Sequence, residues 1–288
     1  MTTETRPLRI VHLSDTHLFG DGTLHYGLVD TTAALRRVLD RAAALEQVDV
    51  VVLSGDLSND GSPASYGILR DLVEPWAAAR GAVVVYAMGN HDLRAAFEQM
   101  LGERRGVVTV HGVRVIHLDS SVPRYGYGEL EAASLQWLRE ELATPAPSGT
   151  VVVLHHPPVP ASTPLLAALE LERPRDLLDV CEQADVRLIL SGHYHHSLVT
   201  SAGGIPVVVA PGITNTSDAI APPGHERATV GAGFALIDLP PAVADAPRVT
   251  IISAPGPDDG AEVFDIDSTR IAEIAREAGK PPAPGADT

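Results

Sequence analysis

A single cysteine, Cys181, stands in 288 residues, so no internal disulfide can form and no thiolate set can close around a structural zinc. That scarcity agrees with a reducing compartment. Basic residues are also few: 21 Lys and Arg face 37 Asp and Glu, a formal charge of -16. Phosphate backbones are bound by Lys and Arg, so neither a nucleic-acid polymer as a partner nor attraction to a membrane surface is expected. No apolar run is long enough to span a bilayer, and Met1-Thr2-Thr3-Glu4-Thr5-Arg6 lacks the apolar core of a signal peptide. The expected location is cytoplasmic. No Ser/Gly-rich or charge-rich linker interrupts the chain between Asp15 and His195, and no internal repeat is visible. One large domain over residues 1–252 is therefore expected, with a C-terminal extension over 253–288. That extension reads as a short helix from Ser268 to Ala278 and a disordered Pro-rich tail from Lys280.

What is present is a recurring strand-loop-helix pattern. Leu8 to Leu13 is an apolar, β-branched run that reads as a strand, followed by a glycine-rich loop from Phe19 to Gly27. Asp30 or Thr31 can then cap a helix whose apolar face repeats at Ala34, Leu35, Val38, Leu39, Ala42 and Leu45. Asp49 to Leu53 has the continuous hydrophobicity of a buried strand. A helix from about Pro63 to Arg80 and a strand from Val83 to Met88 complete the second unit. Around His111-Gly112 the pattern changes to a hairpin, so the sheets are mixed. A helix over Glu131–Leu142, strands at Thr150 and Arg187, a helix around Arg175–Gln183, and late strands near Pro206–Val209, Gly233–Leu239 and Arg248–Ile252 follow. The fold class is α/β, with α+β mixed sheets.

Five short motifs each follow an apolar run: Asp15-Thr16-His17, Gly55-Asp56, Gly89-Asn90-His91-Asp92, His155-His156-Pro157-Pro158 and Gly192-His193-Tyr194-His195. In open α/β architectures, side chains beyond the carboxyl ends of the strands converge on one crevice. Asp15, His17, Asp56, Asn90, His155, His193 and His195 offer only carboxylate, amide and imidazole donors. Such a set suits Mn, Fe or Zn, and seven ligands without sulfur suit two ions that share a carboxylate and keep positions open for water and substrate. The two-residue spacing of Asp15 and His17, and of His193 and His195, is expected from an extended backbone that points both side chains to one side. Glycines before Asp56, Asn90 and His193 are expected to permit tight turns. His12 and His117 lie in strand patterns and read as packed groups.

The succession DTH, GD, GNHD, HHPP, GHYH resembles the calcineurin-like metallophosphoesterase superfamily. The stretches SDTHLFGDGTLHYGLVD, SGDLSNDGSPASYGILRDLVEP, AMGNHD, LDSSVP, LHHPPVP and SGHYHHS resemble more narrowly the class III cyclic-nucleotide phosphodiesterases of mycobacterial type. The resemblance covers roughly Leu8 to Leu239. It implies a four-layer αββα fold, a β-sandwich flanked by helices, making residues 1–252 a metallophosphoesterase catalytic domain. It also implies one ion on Asp15, His17, Asp56 and His195, a second on Asp56, Asn90, His155 and His193, and suggests a homodimer.

The expected activity is hydrolysis of small phosphodiesters by a metal-bridging hydroxide, with Mn or Fe as the leading ions and Zn accepting the same ligands. Cyclic AMP is the named candidate, with 2',3'-cyclic nucleotides and glycerophosphodiesters as competitors. A phosphomonoesterase is the alternative among enzymes, and a metal-bearing binding module the alternative outside them. His91 is expected to orient the phosphate or protonate the leaving oxygen, and Asp92 to orient His91. Asn90, His91 and His195 are expected to meet the substrate. Substrate choice is expected in Phe19–Tyr26 and in the loop from Pro211 to Val230, while His156 and His196 carry no assigned role.

Overall fold

The computed structural model describes residues 6–281, so the Pro-rich tail expected at the C-terminus lies almost wholly outside the described residues. In chain order the elements are β1 (Leu8–Leu13), α1 (Thr31–Arg41), β2 (Val50–Ser54), α2 (Pro63–Ala78), β3 (Val83–Ala87), α3 (Arg94–Leu101), β4 (Gly106–Val110), β5 (Val113–His117), α4 (Ala132–Leu142), β6 (Thr150–Val153), α5 (Pro164–Ala167), α6 (Pro174–Glu182), β7 (Val186–Ser191), β8 (Leu198–Ala202), β9 (Ile205–Val209), β10 (Thr216–Ser217), β11 (His225–Thr229), β12 (Gly233–Leu239), β13 (Arg248–Ser253), β14 (Glu262–Asp267) and α7 (Ser268–Ala278). Among the described residues no helix is long and apolar enough to cross a membrane.

Strand alternation builds the layers. On β2, Val51 and Leu53 point into one core with α1 and α2, while Val50 and Val52 point into a second. On β6, Val151 and Val153 enter that same second core, and Val152 enters a third with α4 and α6. Because side chains alternate across a strand, a fully apolar run serves two cores at once. The result is αββα: helices, a five-stranded sheet in the order β13-β12-β1-β2-β3, a six-stranded sheet in the order β4-β5-β6-β7-β9-β8, and helices again.

Local chemistry sets the helix starts. Asp30, not Thr31, caps α1 by accepting the Ala33 N–H at 2.9 Å. Ser62 caps α2 through the Ser65 N–H, and Pro63 sits in the first turn, where its missing N–H costs nothing. The helix expected over Ser268–Ala278 is α7. Ahead of it the extension holds a strand the sequence did not announce, β14, which pairs antiparallel with β11 in a third, three-stranded sheet, β10-β11-β14. The segment read as a loop from Pro211 to Val230 thus contributes β10 and β11 to that sheet.

β1, β2 and β3 run parallel, as do β6 and β7, so the five motifs leave their strands in the expected direction. His12 and His117 are packed in the strands as expected. His12 is buried and bonds the Ser54 hydroxyl at 2.8 Å, and burial lowers His117 to about 4. The unfolded chain takes up this proton near the ordinary value of 6.5, whereas the native protein refuses it until about pH 4. Acidification through that window therefore favours unfolding, and above pH 6.5 the effect vanishes. Its size at pH 5 is on the order of 1–2 kcal/mol for His117. Thermal melts between pH 7 and 5 should fall less steeply for His117→Gln than for the wild type; parallel slopes would reject the assignment.

Candidate metal centre

Left-handed backbone marks the centre. Asp15, His17, Asp56, His193 and His195 all have φ between 43° and 69°, a region costly for residues with a Cβ. Such strain persists only where the surroundings enforce it, and it concentrates at functional sites. It also corrects the expected reason for the two-residue spacings: Asp15 and His17 do not share a side of an extended chain. Each instead turns inward from a left-handed kink held by backbone bonds, Asp15 N–H to the Gly55 carbonyl at 3.1 Å and His17 N–H to the Asp56 carbonyl at 2.9 Å.

The glycines act in two ways. Gly55, at φ 105°, supplies the turn expected of it. Gly89 and Gly192 do not have positive φ; they are needed for space. A Cβ on Gly192 would lie 1.8 Å from Ser14 Oγ, and one on Gly89 would lie 2.2 Å from the Asp56 backbone N.

The side chains converge as the motifs suggested. Ligand atoms of Asp15, His17, Asp56 and His195 all lie within 4.8 Å of one another. His155 Nε2 is 3.3 Å from Asp56 Oδ2 and 4.0 Å from Asp15 Oδ1, so Asp56 lies between the first cluster and a second. His193 stands beside His155, with ring centroids 5.1 Å apart. Asn90 reaches the same cleft as His17, Asp56, His193 and His195.

Each imidazole is oriented from behind. His17 Nδ1–H donates to Asn59 Oδ1 at 3.1 Å, and His195 Nδ1–H donates to Asn215 Oδ1 at 2.5 Å. His155 Nδ1–H donates to the Ser54 carbonyl at 2.8 Å, and His193 Nε2–H to the Leu169 carbonyl at 2.9 Å. These bonds set the tautomers and aim the free lone pairs inward, the arrangement of metal-binding histidines. As a result His17 Nε2 and His195 Nε2 face each other at 3.2 Å, two lone pairs that a cation between them would reconcile.

The electrostatics ask for positive charge. Asp15 and Asp56 are buried together, and burial raises the Asp15 carboxyl while His195 and His155 oppose it. For Asp56 burial also acts upward, but His155, His91 and His17 hold it well below the usual carboxylate range. Burial should lower His155, yet Asp56, Asp15 and the Ser54 carbonyl raise it to about 9. The two carboxylates thus draw a proton onto an imidazole, the charge a cation would supply. Burial holds His17 and His193 well below the usual histidine range, hence neutral and ready to ligate. Asn90 Oδ1 and His155 Nε2 are buried without hydrogen-bond partners among the described residues. Hard oxygen and imidazole donors, two of them orphaned, fit a pair of divalent ions.

By proximity His156 would join His155 and His193. Its ring is already committed, however, with Nδ1 on the Ser120 hydroxyl at 2.9 Å and Nε2–H on the Gly126 carbonyl at 3.1 Å. It packs behind His193, at 4.4 Å between centroids, as a support. His196 is buried and stacks on Tyr194 at 5.8 Å, outside the cleft lining.

His91 is exposed in the cleft, and its backbone N–H donates to Asp56 Oδ1 at 2.8 Å. Asp92 does something other than expected. Its carboxylate accepts from the N–H groups of Leu57, Ser58 and Gly89 and from the Tyr66 hydroxyl, with no bond to the His91 ring. Burial and then Asp56 push it up to about 7 against those donors. It ties the Asp56 loop to the Asn90 loop and so acts on the site through backbone. Two groups escaped the sequence reading: Asn59 and Asn215, which orient ligand-type histidines. His25, in the glycine-rich loop after β1, is buried 5.2 Å from the His17 ring.

A family model described as calcineurin-like phosphoesterase matches residues 8–197. A probable cyclic nucleotide phosphodiesterase of Rhodococcus erythropolis is 45% identical over 231 residues, covering 77% of this chain and 76% of that one. The cAMP/cGMP dual specificity phosphodiesterase of Mycobacterium tuberculosis is 42% identical over 231 residues, covering 77% and 73%. Among solved structures, a dimetal phosphatase from Danio rerio superposes with a TM-score of 0.62 at 14% identity, over 92% of this chain and 100% of that one, a likeness of fold.

Proposed function

This chain belongs to the calcineurin-like phosphoesterase family, and from that premise we propose that it is a dinuclear metal-dependent phosphodiesterase acting on 3',5'-cyclic nucleotides, cyclic AMP foremost. The observation that carries the reading is Asp56, a buried carboxylate between two sets of inward-facing hard ligands at the floor of an open cleft. Asp15, His17, Asp56 and His195 would hold one ion, and Asp56, Asn90, His155 and His193 the other. Mn and Fe are the ions we favour, with Zn accepting the same donors. Bound there, the ions supply Lewis acidity toward phosphoryl oxygens and lower the pKa of water.

The chain's own residues do the rest. Asn59, Asn215 and the Ser54 and Leu169 carbonyls keep four imidazoles in the ligating tautomer. Leu165, Leu166 and Leu169 form an apolar wall that limits water at the reacting group. His91, tethered to Asp56 through its backbone N–H and exposed, would hold a proton for the leaving oxygen. Although the protein carries a charge of -16, ions held by Asp15, His17, Asp56, Asn90, His155, His193 and His195 would concentrate positive potential in the cleft, where a singly charged diester would be the easier guest.

The test is a substrate panel with added Mn: cyclic AMP, cyclic GMP, 2',3'-cyclic AMP, and the mono- and bis-p-nitrophenyl phosphates. Diesters should be cleaved in preference to the monoester, and 3',5'-cyclic nucleotides in preference to 2',3'-cyclic ones. A strong monoester preference would reject the reading. His91→Ala should keep both ions and lose about 100- to 10,000-fold in kcat. Turnover within a few-fold of wild type would remove His91 from proton transfer.

A further inference from the structure

The cleft has a second wall that none of the five motifs supplies. Tyr26 from the loop after β1, Glu226 from β11 and Phe264 from β14 line it, alongside Asn215 and Ser217. Glu226 and Phe264 lie beyond the residues matched by the family model. Tyr26 is 65% exposed, and its ring centroid is 5.2 Å from that of Phe264 with the planes at 44°. Two aromatic side chains from different segments of the chain therefore stand side by side on this wall.

Glu226 is only 1% exposed. Its Oε1 accepts the Thr163 hydroxyl at 3.0 Å, just ahead of α5. Oε2 is buried with no hydrogen-bond partner among the described residues. The neighbouring Arg227 is committed to Asp218 at 2.7 Å and does not balance it. Burial raises the Glu226 carboxyl, and the Thr163 bond opposes that rise. A buried acceptor left open at a cleft wall calls for a donor from the ligand. No Lys or Arg is among the cleft-lining residues described, so this wall is not built for a second phosphate. It suits a flat, uncharged group that carries an N–H.

We infer that this wall is a nucleobase subsite, in which the ring lies against Tyr26 and Phe264 and Glu226 Oε2 accepts from the exocyclic amino group of adenine. The inference rests on the cyclic-nucleotide reading above and adds to it the part of the protein that selects the base. Stacking tolerates any base, because every base has a π-face. Selection comes from the carboxylate, which accepts from an amino group and meets a carbonyl oxygen with no proton to share.

Cyclic IMP is the discriminating probe, since it keeps the ribose and phosphate of cyclic AMP and carries O6 in place of the amino group. The wild-type enzyme, loaded with Mn, should favour cyclic AMP over cyclic IMP by about tenfold or more in kcat/KM, mainly through KM. In Glu226→Gln the amide oxygen takes over the Thr163 bond and the NH2 faces the base, so the preference should invert toward cyclic IMP. Metal content and melting temperature show that the variant is folded. An unchanged ratio in a folded, metal-replete Glu226→Gln overturns the subsite while leaving the cyclic-nucleotide reading intact. Hydrolysis of bis-p-nitrophenyl phosphate with neither nucleotide cleaved would instead overturn that reading, and the subsite with it. Should Glu226→Gln fail to fold, Tyr26→Ala on its exposed loop decides independently. Its KM should rise about tenfold for cyclic AMP and much less for a ring-less glycerophosphodiester; equal rises overturn the proposal.

Discussion

Asp56→Asn should strip the protein of its paired ions and lower kcat by at least about a thousandfold, the order expected when about 4 kcal/mol of buried charge stabilisation is lost. Asparagine keeps the volume, tolerates the left-handed backbone at φ 49°, and can still accept the His91 N–H through Oδ1. What it removes is the second carboxylate oxygen, which lies 3.3 Å from His155 Nε2 and 3.6 Å from His17 Nε2. That oxygen faces both ligand clusters, so its loss reaches both. Metal analysis should show fewer than two ions per chain, alongside the loss of turnover on cyclic AMP. A variant that kept two ions and wild-type turnover would show that Asp56 is not shared between them.

Gly89→Ala should be nearly as damaging, although it adds one methyl group to a residue with no ligand role. The new Cβ would lie 2.2 Å from the Asp56 backbone N and 2.3 Å from Asp56 Oδ1, and backbone cannot swing aside as a flexible side chain can. Overpacking of this kind costs about 1–3 kcal/mol of stability. The larger effect is on geometry, since a displacement of about 1 Å at a reacting site costs on the order of a hundredfold in rate. The Asp92 carboxylate, which accepts the Gly89 N–H at 2.9 Å and the Ser58 N–H at 2.9 Å, transmits the shift to both loops. Expected readings are a lower melting temperature, weaker metal retention and kcat down by about a hundredfold or more. Normal turnover in Gly89→Ala would mean that the two loops are not held in register as described.

The metal-type residues were legible because each belongs to a short motif placed just past an apolar run. Asp15, Asp56, Asn90, His155 and His193 need only a strand direction to be sent to one edge, and strand direction follows from local pattern. The layers were legible for a related reason. Runs such as Val50–Leu53 and Val151–Leu154 are apolar on both faces, and only a strand buried between two layers uses both.

What escaped was held by distant partners. β8 is a largely exposed edge strand, and β11 reads His225-Glu226-Arg227-Ala228-Thr229, a polar stretch that becomes a strand by pairing with β10 and β14. α3 buries a single large side chain, Phe97, which is too little periodicity to announce a helix. Asp92 looked like a partner for the adjacent His91, yet its bonds run to Leu57, Ser58, Gly89 and Tyr66.

The sequence by itself determined the chemistry of this protein: hard ligands without sulfur, set at strand ends, under a charge balance unsuited to polyanions. Only the tertiary structure decided the backbone strain that aims Asp15, His17, Asp56, His193 and His195, the asparagines and carbonyls that choose the tautomers, and the aromatic and carboxylate wall beside the candidate metal centre. The physical reason is range. Ligand type and strand direction are properties of a few consecutive residues, whereas orientation and fit depend on groups such as Asn215, Glu226 and Phe264 that meet Asp15 and Tyr26 only after the chain has closed over some two hundred residues.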